Sequence, residues 1–220
     1  MKKLNKQQEF WAGEFGTTWA TTRNTFKLAY NAWEMDSKTK LKGLLERFIG
    51  GMSRMDTILE VGCNDGFVLK TLEDLGFQFL NGLDINKKSI ENAQINLPDA
   101  AFKCTSVEDF ISPHGFDLVM TSALLIHIHP DNLAKVMDNI YENGHFIFGR
   151  ELSTSEPIDQ ALGGTGVWTN QYFTRRFKDL WLELHPDLKV IKYELIQMQS
   201  KPPTSKNPGV QTEVYLLEKQ

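Results

Sequence analysis

The sequence has little of what marks secreted, membrane or nucleic-acid-binding proteins. Its 220 residues include two cysteines, Cys63 and Cys104, whose spacing fits neither a disulfide framework nor a zinc site. No apolar run reaches the roughly 18 residues that a membrane helix needs, and the basic N-terminus lacks the apolar stretch of a secretory signal. The net charge of -4 argues against binding by phosphate neutralisation. We therefore expect a cytoplasmic protein without a membrane or nucleic-acid partner, in which both cysteines are small buried thiols.

Length and composition fit one globular domain, because a chain that is 41% hydrophobic and 24% charged can bury a substantial core. We predict a single domain over residues 1–220, with an N-terminal helical cap at 1–55 and an α/β core at 56–220. Residues 7–35 are rich in aromatic side chains. They are interpreted either as a static cap or as a lid that brings Trp19 and Arg23 over a ligand.

The core is predicted to begin with a buried strand that runs through a glycine turn into a helix. Ile58, Leu59 and Val61 are apolar and favour a strand, and apolar residues recur at helical spacing after Gly66. This is the first β-turn-α unit of a nucleotide-type α/β fold.

The charge of the turn restricts its ligand. A pyrophosphate site offers bare backbone N–H groups without a nearby anion, whereas Glu60 ends this strand and Asp65 lies inside the turn. The third glycine of a dinucleotide fingerprint is missing, and no P-loop lysine follows. A cationic ligand such as S-adenosylmethionine fits better. An ordinary strand-to-helix turn of another α/β protein is the alternative.

The same turn resembles motif I of the class I methyltransferases. Its pattern is Glu60-x-Gly62-x-x-x-Gly66, and Cys63 is assigned to the cofactor with it. Asn64 stands where that family usually has its middle glycine. Asparagine is tolerated there because it adopts positive φ more readily than most residues.

Two further segments are assigned to the same cofactor. The second predicted strand ends at Asp84, roughly 20 residues after the turn, where a carboxylate binds a ribose diol. Ile85 follows it, and Asp84 could equally be the N-cap of the next helix. After a third strand, Ser106 and Val107 occupy the position at which such folds present an adenine pocket.

The fourth predicted strand carries Thr121, which is assigned to the cofactor, and leads to two histidines. Ligands of open α/β sheets bind at this edge. His127 and His129 should point to opposite sides of an extended segment, so we expect His127 to face the cleft and predict no metal site. His127 is the candidate general base, because imidazole titrates near neutrality. A histidine that only orients the loop is the alternative.

Two weaker candidates for holding substrate are Glu151, after the fifth strand, and Tyr172. The chain then ends in two β-rich runs, 188–198 and 210–217, which are predicted to form an antiparallel hairpin. We therefore predict an α/β, Rossmann-like class I methyltransferase fold. Its sheet has seven mostly parallel strands with a C-terminal antiparallel hairpin, whereas a dinucleotide-binding dehydrogenase more often continues with parallel units.

Three blocks resemble the pseudaminic acid biosynthesis-associated methylase family across nearly the whole chain: 9–16 followed by Arg23 and Asn24, 59–66, and 125–131. The resemblance implies a methyltransferase that uses S-adenosylmethionine on a sugar or surface-glycan precursor. Residues 150–155 and 174–177 depart from the family pattern on the expected substrate side.

The sequence thus predicts methyl transfer from S-adenosylmethionine to an oxygen or nitrogen of a small molecule. Two alternatives stay open. One is an NAD-type dinucleotide-binding oxidoreductase that uses the same Asp84, and the other is a non-catalytic partner protein that binds S-adenosylmethionine. Neither the acceptor nor the oligomeric state follows from the sequence.

Overall fold

The computed structural model describes residues 4–22, 41–154, 173–197 and 211–220. Its helices are α1 (Lys6–Ala12), α2 (Glu14–Thr22), α3 (Leu41–Ile49), α4 (Phe67–Asp74), α5 (Lys87–Asn96), α6 (Pro130–Asn143) and α7 (Phe177–Leu184). Its strands are β1 (Thr57–Val61), β2 (Phe79–Asp84), β3 (Ala101–Cys104), β4 (Phe116–Ser122), β5 (Gly144–Ser153), β6 (Leu188–Gln197) and β7 (Gln211–Lys219). Arg23, Tyr172 and most of the loop before Trp168 lie outside the described residues.

The seven strands form one sheet in the order β3-β2-β1-β4-β5-β7-β6. Strands β1 to β5 are parallel, β7 is antiparallel to β5, and β6 is antiparallel to β7. The predicted seven-stranded sheet with a C-terminal antiparallel hairpin is confirmed. Strand order reverses between β1 and β4, and ligands of open α/β sheets bind at such a switch point.

Each face of the sheet is covered by helices, so the central strands are buried on both sides. Helices α3 and α4 pack on one face, against Ile58, Leu118, Met120 and Phe148. Helices α6 and α7 pack on the other face, together with Tyr215. Strands buried on both faces read as continuous apolar runs, which is why β1 and β4 are recognisable in the sequence.

Strand β5 is longer than predicted. It continues to Ser153 because β7 pairs with its second half, from Arg150 opposite Val214 to Ser153 opposite Gln211. Arg150 and Glu151 therefore lie inside the strand and are buried, and the prediction that Glu151 comes after the fifth strand is wrong.

The two cysteines differ in their exposure to solvent. Cys63 is a buried thiol as expected, whereas Cys104 is exposed because β3 is the edge strand of the sheet. No helix among the described residues is long and apolar enough to cross a membrane.

The packing of β5 on β7 can be tested at Gly149. A Cβ atom added there would lie 2.0 Å from Cζ of Tyr215, a buried side chain whose hydroxyl accepts a hydrogen bond from Trp181 Nε1 at 2.9 Å. We expect Gly149→Ala to lower the free energy of unfolding by about 1–3 kcal/mol, measured by urea denaturation.

Gly43→Ala on α3 is the matched control, since its added Cβ meets no atom within 4 Å. The control should be neutral or should stabilise by up to about 1 kcal/mol. Equal stability of Gly149→Ala and the parent would contradict this packing.

Candidate functional site

A cavity of about 310 Å³ lies at the carboxyl edge of β1, β2 and β4. Its floor is the glycine turn after β1 and the end of β2, one wall is the loop after β4, and helices α1 and α2 form its roof. A volume of this size suits a metabolite-sized ligand.

The glycine turn has the backbone that its sequence predicts. Gly62, Asn64 and Gly66 have φ angles of 74°, 48° and 81°, which is the region that asparagine tolerates and glycine adopts without strain. A Cβ atom on Gly62 would lie 2.8 Å from Cδ1 of Leu124. Gly62 therefore lets the turn and the loop after β4 approach each other, and both contribute to the cavity.

Asp84 joins the turn to the end of β2. Its Oδ2 accepts a hydrogen bond from the backbone N–H of Asn64 at 3.0 Å, and its Oδ1 accepts one from Asn86 N–H at 2.8 Å. The helix that follows is capped by Asn86, whose Oδ1 accepts from Ser89 N–H at 3.0 Å. The N-cap alternative for Asp84 is therefore wrong. A carboxylate has further lone pairs for ligand hydroxyl groups, and Asp84 lines the cavity.

Glu60, Asp65 and Asp84 form a cluster of carboxylates around the turn. Burial raises the pKa of Glu60 well above its ordinary value, and the charges of Asp65 and Asp84 add to that effect. Burial likewise raises the pKa of Asp84, although its backbone hydrogen bonds oppose the increase. A cationic ligand would relieve this repulsion, whereas a pyrophosphate would add to it.

The next corner of the cavity contains Ser106 and Val107, which begin a short 3₁₀ turn. Ser106 Oγ accepts a hydrogen bond from Gln8 Nε2 at 3.0 Å, and Gln8 Nε2 also contacts the Glu108 carboxylate. Helix α1 is thereby fastened to this corner.

The first two helices close the cavity from above. Asn86 Nδ2 donates to the carbonyl oxygen of Trp11 at 3.0 Å, and Asn92 Nδ2 donates to that of Ala20 at 3.0 Å. Trp11 and Trp19 both line the cavity, and their rings lie 6.4 Å apart with an edge-to-face geometry. The ring of Phe15 packs on both, and the three residues Trp11, Phe15 and Trp19 form an aromatic roof.

Several buried polar atoms in the lining have no hydrogen-bond partner among the described residues. They are Glu60 Oε2, Trp11 Nε1 and both polar atoms of the Gln7 side-chain amide. Buried polar groups without partners are uncommon in folded proteins. Because they lie in the lining, these atoms are available to hydrogen-bond a polar ligand.

The histidine segment differs from the extended conformation that the sequence suggested. Leu125–His127 is a 3₁₀ turn, so the period of two does not apply, and both histidines line the cavity. The ring of His127 packs edge-to-face on Trp11, with centroids 4.6 Å apart. His129 instead caps α6, accepting from Asp131 N–H at 3.3 Å. The expected extended conformation is therefore wrong, although the two rings have different neighbours, Trp11 for His127 and Phe173 for His129.

Glu151 lies beneath this segment and outside the cavity. Its carboxylate accepts hydrogen bonds from the backbone N–H groups of Leu124 and Leu125, both at 3.2 Å, and from the Thr121 hydroxyl. The interpretations of Glu151 as a substrate residue and of Thr121 as a cofactor residue are corrected accordingly. Both side chains are buried between β4, β5 and the loop, because pairing with β7 covers this part of the strand.

The structure thus brings most of the predicted site residues to one cavity. The predicted residues that line it are Trp19, Glu60, Gly62, Cys63, Asn64, Asp84, Ile85, Ser106, Val107 and His127. Gly66 shapes the turn as the N-cap of α4 without lining the cavity. The sequence interpretation missed Asn86 and assigned no role to Trp11 or Arg150, which also line it. For Trp11 the aromatic density of residues 7–35 was an available signal.

Comparison with known proteins agrees with this architecture. Residues 58–143 match a family described as "Methyltransferase domain". The ubiquinone biosynthesis O-methyltransferase of Neisseria meningitidis serogroup C (strain 053442) is 33% identical in an alignment of 86 residues that covers 36% of this chain and 36% of that protein. The match therefore spans about a third of the relative's length.

Solved structures share the fold over a longer part of the chain. The magnesium protoporphyrin IX methyltransferase (ChlM) from Synechocystis PCC 6803 with bound SAM superposes with a TM-score of 0.68 at 9% identity, covering 100% of both chains. The [4+2]-cyclase SpnF superposes with a TM-score of 0.61 at 13% identity, covering 81% of this chain and 80% of that one. The chain has the class I methyltransferase fold, and at such identities the likeness concerns the fold alone.

The role of Glu151 leads to a prediction about pH. Burial raises its pKa to about 7, against the opposing effect of hydrogen bonds from Thr121 and the loop. Because the native state holds this proton more tightly than the unfolded chain does, the stabilisation is present at low pH and is lost as pH rises toward 7. Between pH 5 and 8 the parent should therefore lose roughly 2–3 kcal/mol of unfolding free energy relative to Glu151→Gln.

Urea denaturation of both proteins across that range measures the difference. Glu142→Gln, at an exposed position of α6, is the matched control and should follow the parent. A difference between the parent and Glu151→Gln that stays constant from pH 5 to 8 would contradict the assignment.

Proposed function

We propose that this protein is a methyltransferase that uses S-adenosylmethionine and acts on a small molecule. The observation that carries the proposal is the cluster of Glu60, Asp65 and Asp84 at the switch point of the sheet. Three buried or half-buried carboxylates around a glycine turn favour a cationic ligand and oppose a pyrophosphate. The methyltransferase fold and the family match at residues 58–143 support the same conclusion.

The residues present fit this cofactor. Asp84 would accept hydrogen bonds from the ribose diol, and Ser106 and Val107 would flank the adenine. Ile85, which follows Asp84 and lines the cavity, would also contact the cofactor. The acidic turn from Glu60 would lie beside the positively charged sulfonium and ammonium groups of the methionine portion. When bound, S-adenosylmethionine supplies an electrophilic methyl group and leaves as S-adenosylhomocysteine.

The protein's own contribution is to position the acceptor and to receive its proton. His127 lines the same cavity. It lies on the loop that Glu151 supports, and its ring packs against Trp11 of the aromatic roof. A neutral imidazole there would take the proton of an acceptor hydroxyl as its oxygen bonds to the methyl carbon and the C–S bond breaks. With a neutral amine as acceptor, it would take the proton that the nitrogen loses after methylation. The roof would exclude water and hold the acceptor in line.

The acceptor class has two sources of support. The resemblance of residues 9–16, 59–66 and 125–131 to the pseudaminic acid biosynthesis-associated methylases favours a sugar or surface-glycan precursor. The match to a ubiquinone biosynthesis O-methyltransferase over 86 residues favours oxygen as the methylated atom. We propose O-methylation of a hydroxylated small molecule, which satisfies both.

The ribose assignment is tested at Asp84. Asp84→Ala should weaken S-adenosylhomocysteine binding at least roughly 10- to 100-fold, because a single hydrogen bond to a charged group contributes about 1.5–3 kcal/mol. Isothermal titration calorimetry measures the affinity. Asp99→Ala, at an exposed position, is the control and should bind like the parent. If Asp84→Ala binds as tightly as the parent, the ribose lies elsewhere.

The base assignment is tested at His127. His127→Ala should lower single-turnover methyl transfer by roughly 10²- to 10⁴-fold, while S-adenosylhomocysteine affinity stays nearly unchanged. A histidine that only orients the loop gives another pattern, because its loss would weaken cofactor and acceptor binding with little effect on the chemical step at saturation.

His129→Ser is the matched control for that experiment. Serine is a favourable N-cap and should keep the start of α6, so the variant removes the second imidazole alone. A greater loss of single-turnover rate in His129→Ser than in His127→Ala, with both variants folded, would transfer the base assignment to His129.

A further inference from the structure

The two ends of the cavity carry opposite charge. Glu60, Asp65, Asp84 and Glu108 line the end nearest the glycine turn and the Ser106 corner. At the other end, across β4, lies Arg150. Among the described residues that line the cavity, it is the sole lysine or arginine.

Arg150 is held in a defined position on the sheet. It pairs with Ser122 of β4, and its Nη1 donates to the Ser122 hydroxyl at 3.2 Å. It lies on the same sheet face as Phe148, because alternate residues of a strand share a face. Glu151 points to the opposite face, where its carboxylate accepts hydrogen bonds from the backbone N–H groups of Leu124 and Leu125.

The burial of this guanidinium is energetically costly. Arg150 is only 9% exposed, and desolvation lowers its pKa to about 9 despite the nearby charge of Glu151. An anion that reaches this guanidinium through the cavity would form charge-assisted hydrogen bonds with it where little water competes. The planar guanidinium can bind a carboxylate or a phosphate through two parallel hydrogen bonds, which a lysine cannot do.

We propose that Arg150 binds an anionic group of the methyl acceptor, so that the acceptors of this protein are acids or phosphate esters. This inference rests on the proposed function and specifies its substrate class. Because the acidic and basic residues lie at different ends of the cavity, each end would bind a different ligand. The acidic end suits the cationic methyl donor, and the Arg150 end suits an anionic acceptor.

S-adenosylmethionine also carries a carboxylate, which is a second source of the same chemistry. The two sources make different predictions. If Arg150 serves the acceptor, its replacement leaves the affinity for S-adenosylhomocysteine within about twofold of the parent. If it serves the cofactor carboxylate, that affinity falls roughly 30-fold or more.

The experiment begins with S-adenosylhomocysteine binding by the parent, Arg150→Met and Arg150→Lys. The three proteins are then assayed for release of S-adenosylhomocysteine from S-adenosylmethionine with a panel of matched compounds. Each hydroxylated carboxylic acid or phosphate ester is paired with its neutral amide or its dephosphorylated form. Arg47→Met is the control, since Arg47 lies on the exposed face of α3 and pairs with Glu194 at 2.8 Å.

We expect turnover of the anionic members by the parent and by Arg47→Met. Arg150→Met should lose roughly 30-fold or more in kcat/KM for these acids, chiefly through KM, and Arg150→Lys should lose less because it keeps the charge. Where no compound is methylated, calorimetry with the same panel and the S-adenosylhomocysteine complex replaces turnover.

Three outcomes would overturn the inference: equal use or binding of the neutral partners, an absence of acid-selective binding, or weakened S-adenosylhomocysteine binding by Arg150→Met. Each is distinguishable from failure of the proposed function, which would appear as an inability of the parent to bind S-adenosylhomocysteine.

Discussion

Electrostatic repulsion among Glu60, Asp65 and Asp84 is the constraint on which the site depends. The parallel sheet brings these carboxylates to one edge, and the glycine turn places them where water is largely excluded. Burial raises the pKa of Glu60 and Asp84, with mutual repulsion adding to the effect. The backbone N–H groups of Asn64 and Asn86 offset part of that cost at Asp84. A cationic ligand would offset more of it, so ligand choice and local stability have the same physical origin.

The loop after β4 depends on another buried carboxylate, that of Glu151, on the opposite face of the sheet. Glu151 holds the backbone of Leu124 and Leu125, and this loop carries His127 into the cavity under Trp11. Leu124 also contacts the glycine turn at Gly62. The proposed donor end and acceptor end are thus connected through one short segment that β5 supports from below.

Local signals in the sequence were sufficient for the sheet and for the residues of the glycine turn that line the cavity. Gly62, Asn64 and Asp84 lie within a single β-turn-α-β unit, so their spacing carries the information. The contacts that the sequence did not reveal join distant segments. Gln8 reaches Ser106, 98 residues away, and Glu151 is buried because β7 pairs with β5 some 60 residues further along. The 3₁₀ turn at His127 follows from the hydrogen bonds to Glu151, and no local pattern distinguishes it from an extended segment.

The central claim is that the acidic turn accepts the ammonium group that S-adenosylmethionine and S-adenosylhomocysteine share, and rejects the pyrophosphate of a dinucleotide. Parallel calorimetric titrations of the unmodified protein with S-adenosylhomocysteine and with NAD test it most directly. The account predicts binding of S-adenosylhomocysteine in the micromolar range, on the order of 8 kcal/mol, and no measurable binding of NAD at millimolar concentration. Binding of NAD as tight as that of S-adenosylhomocysteine would contradict it, because a pyrophosphate would then be accepted beside Glu60 and Asp65.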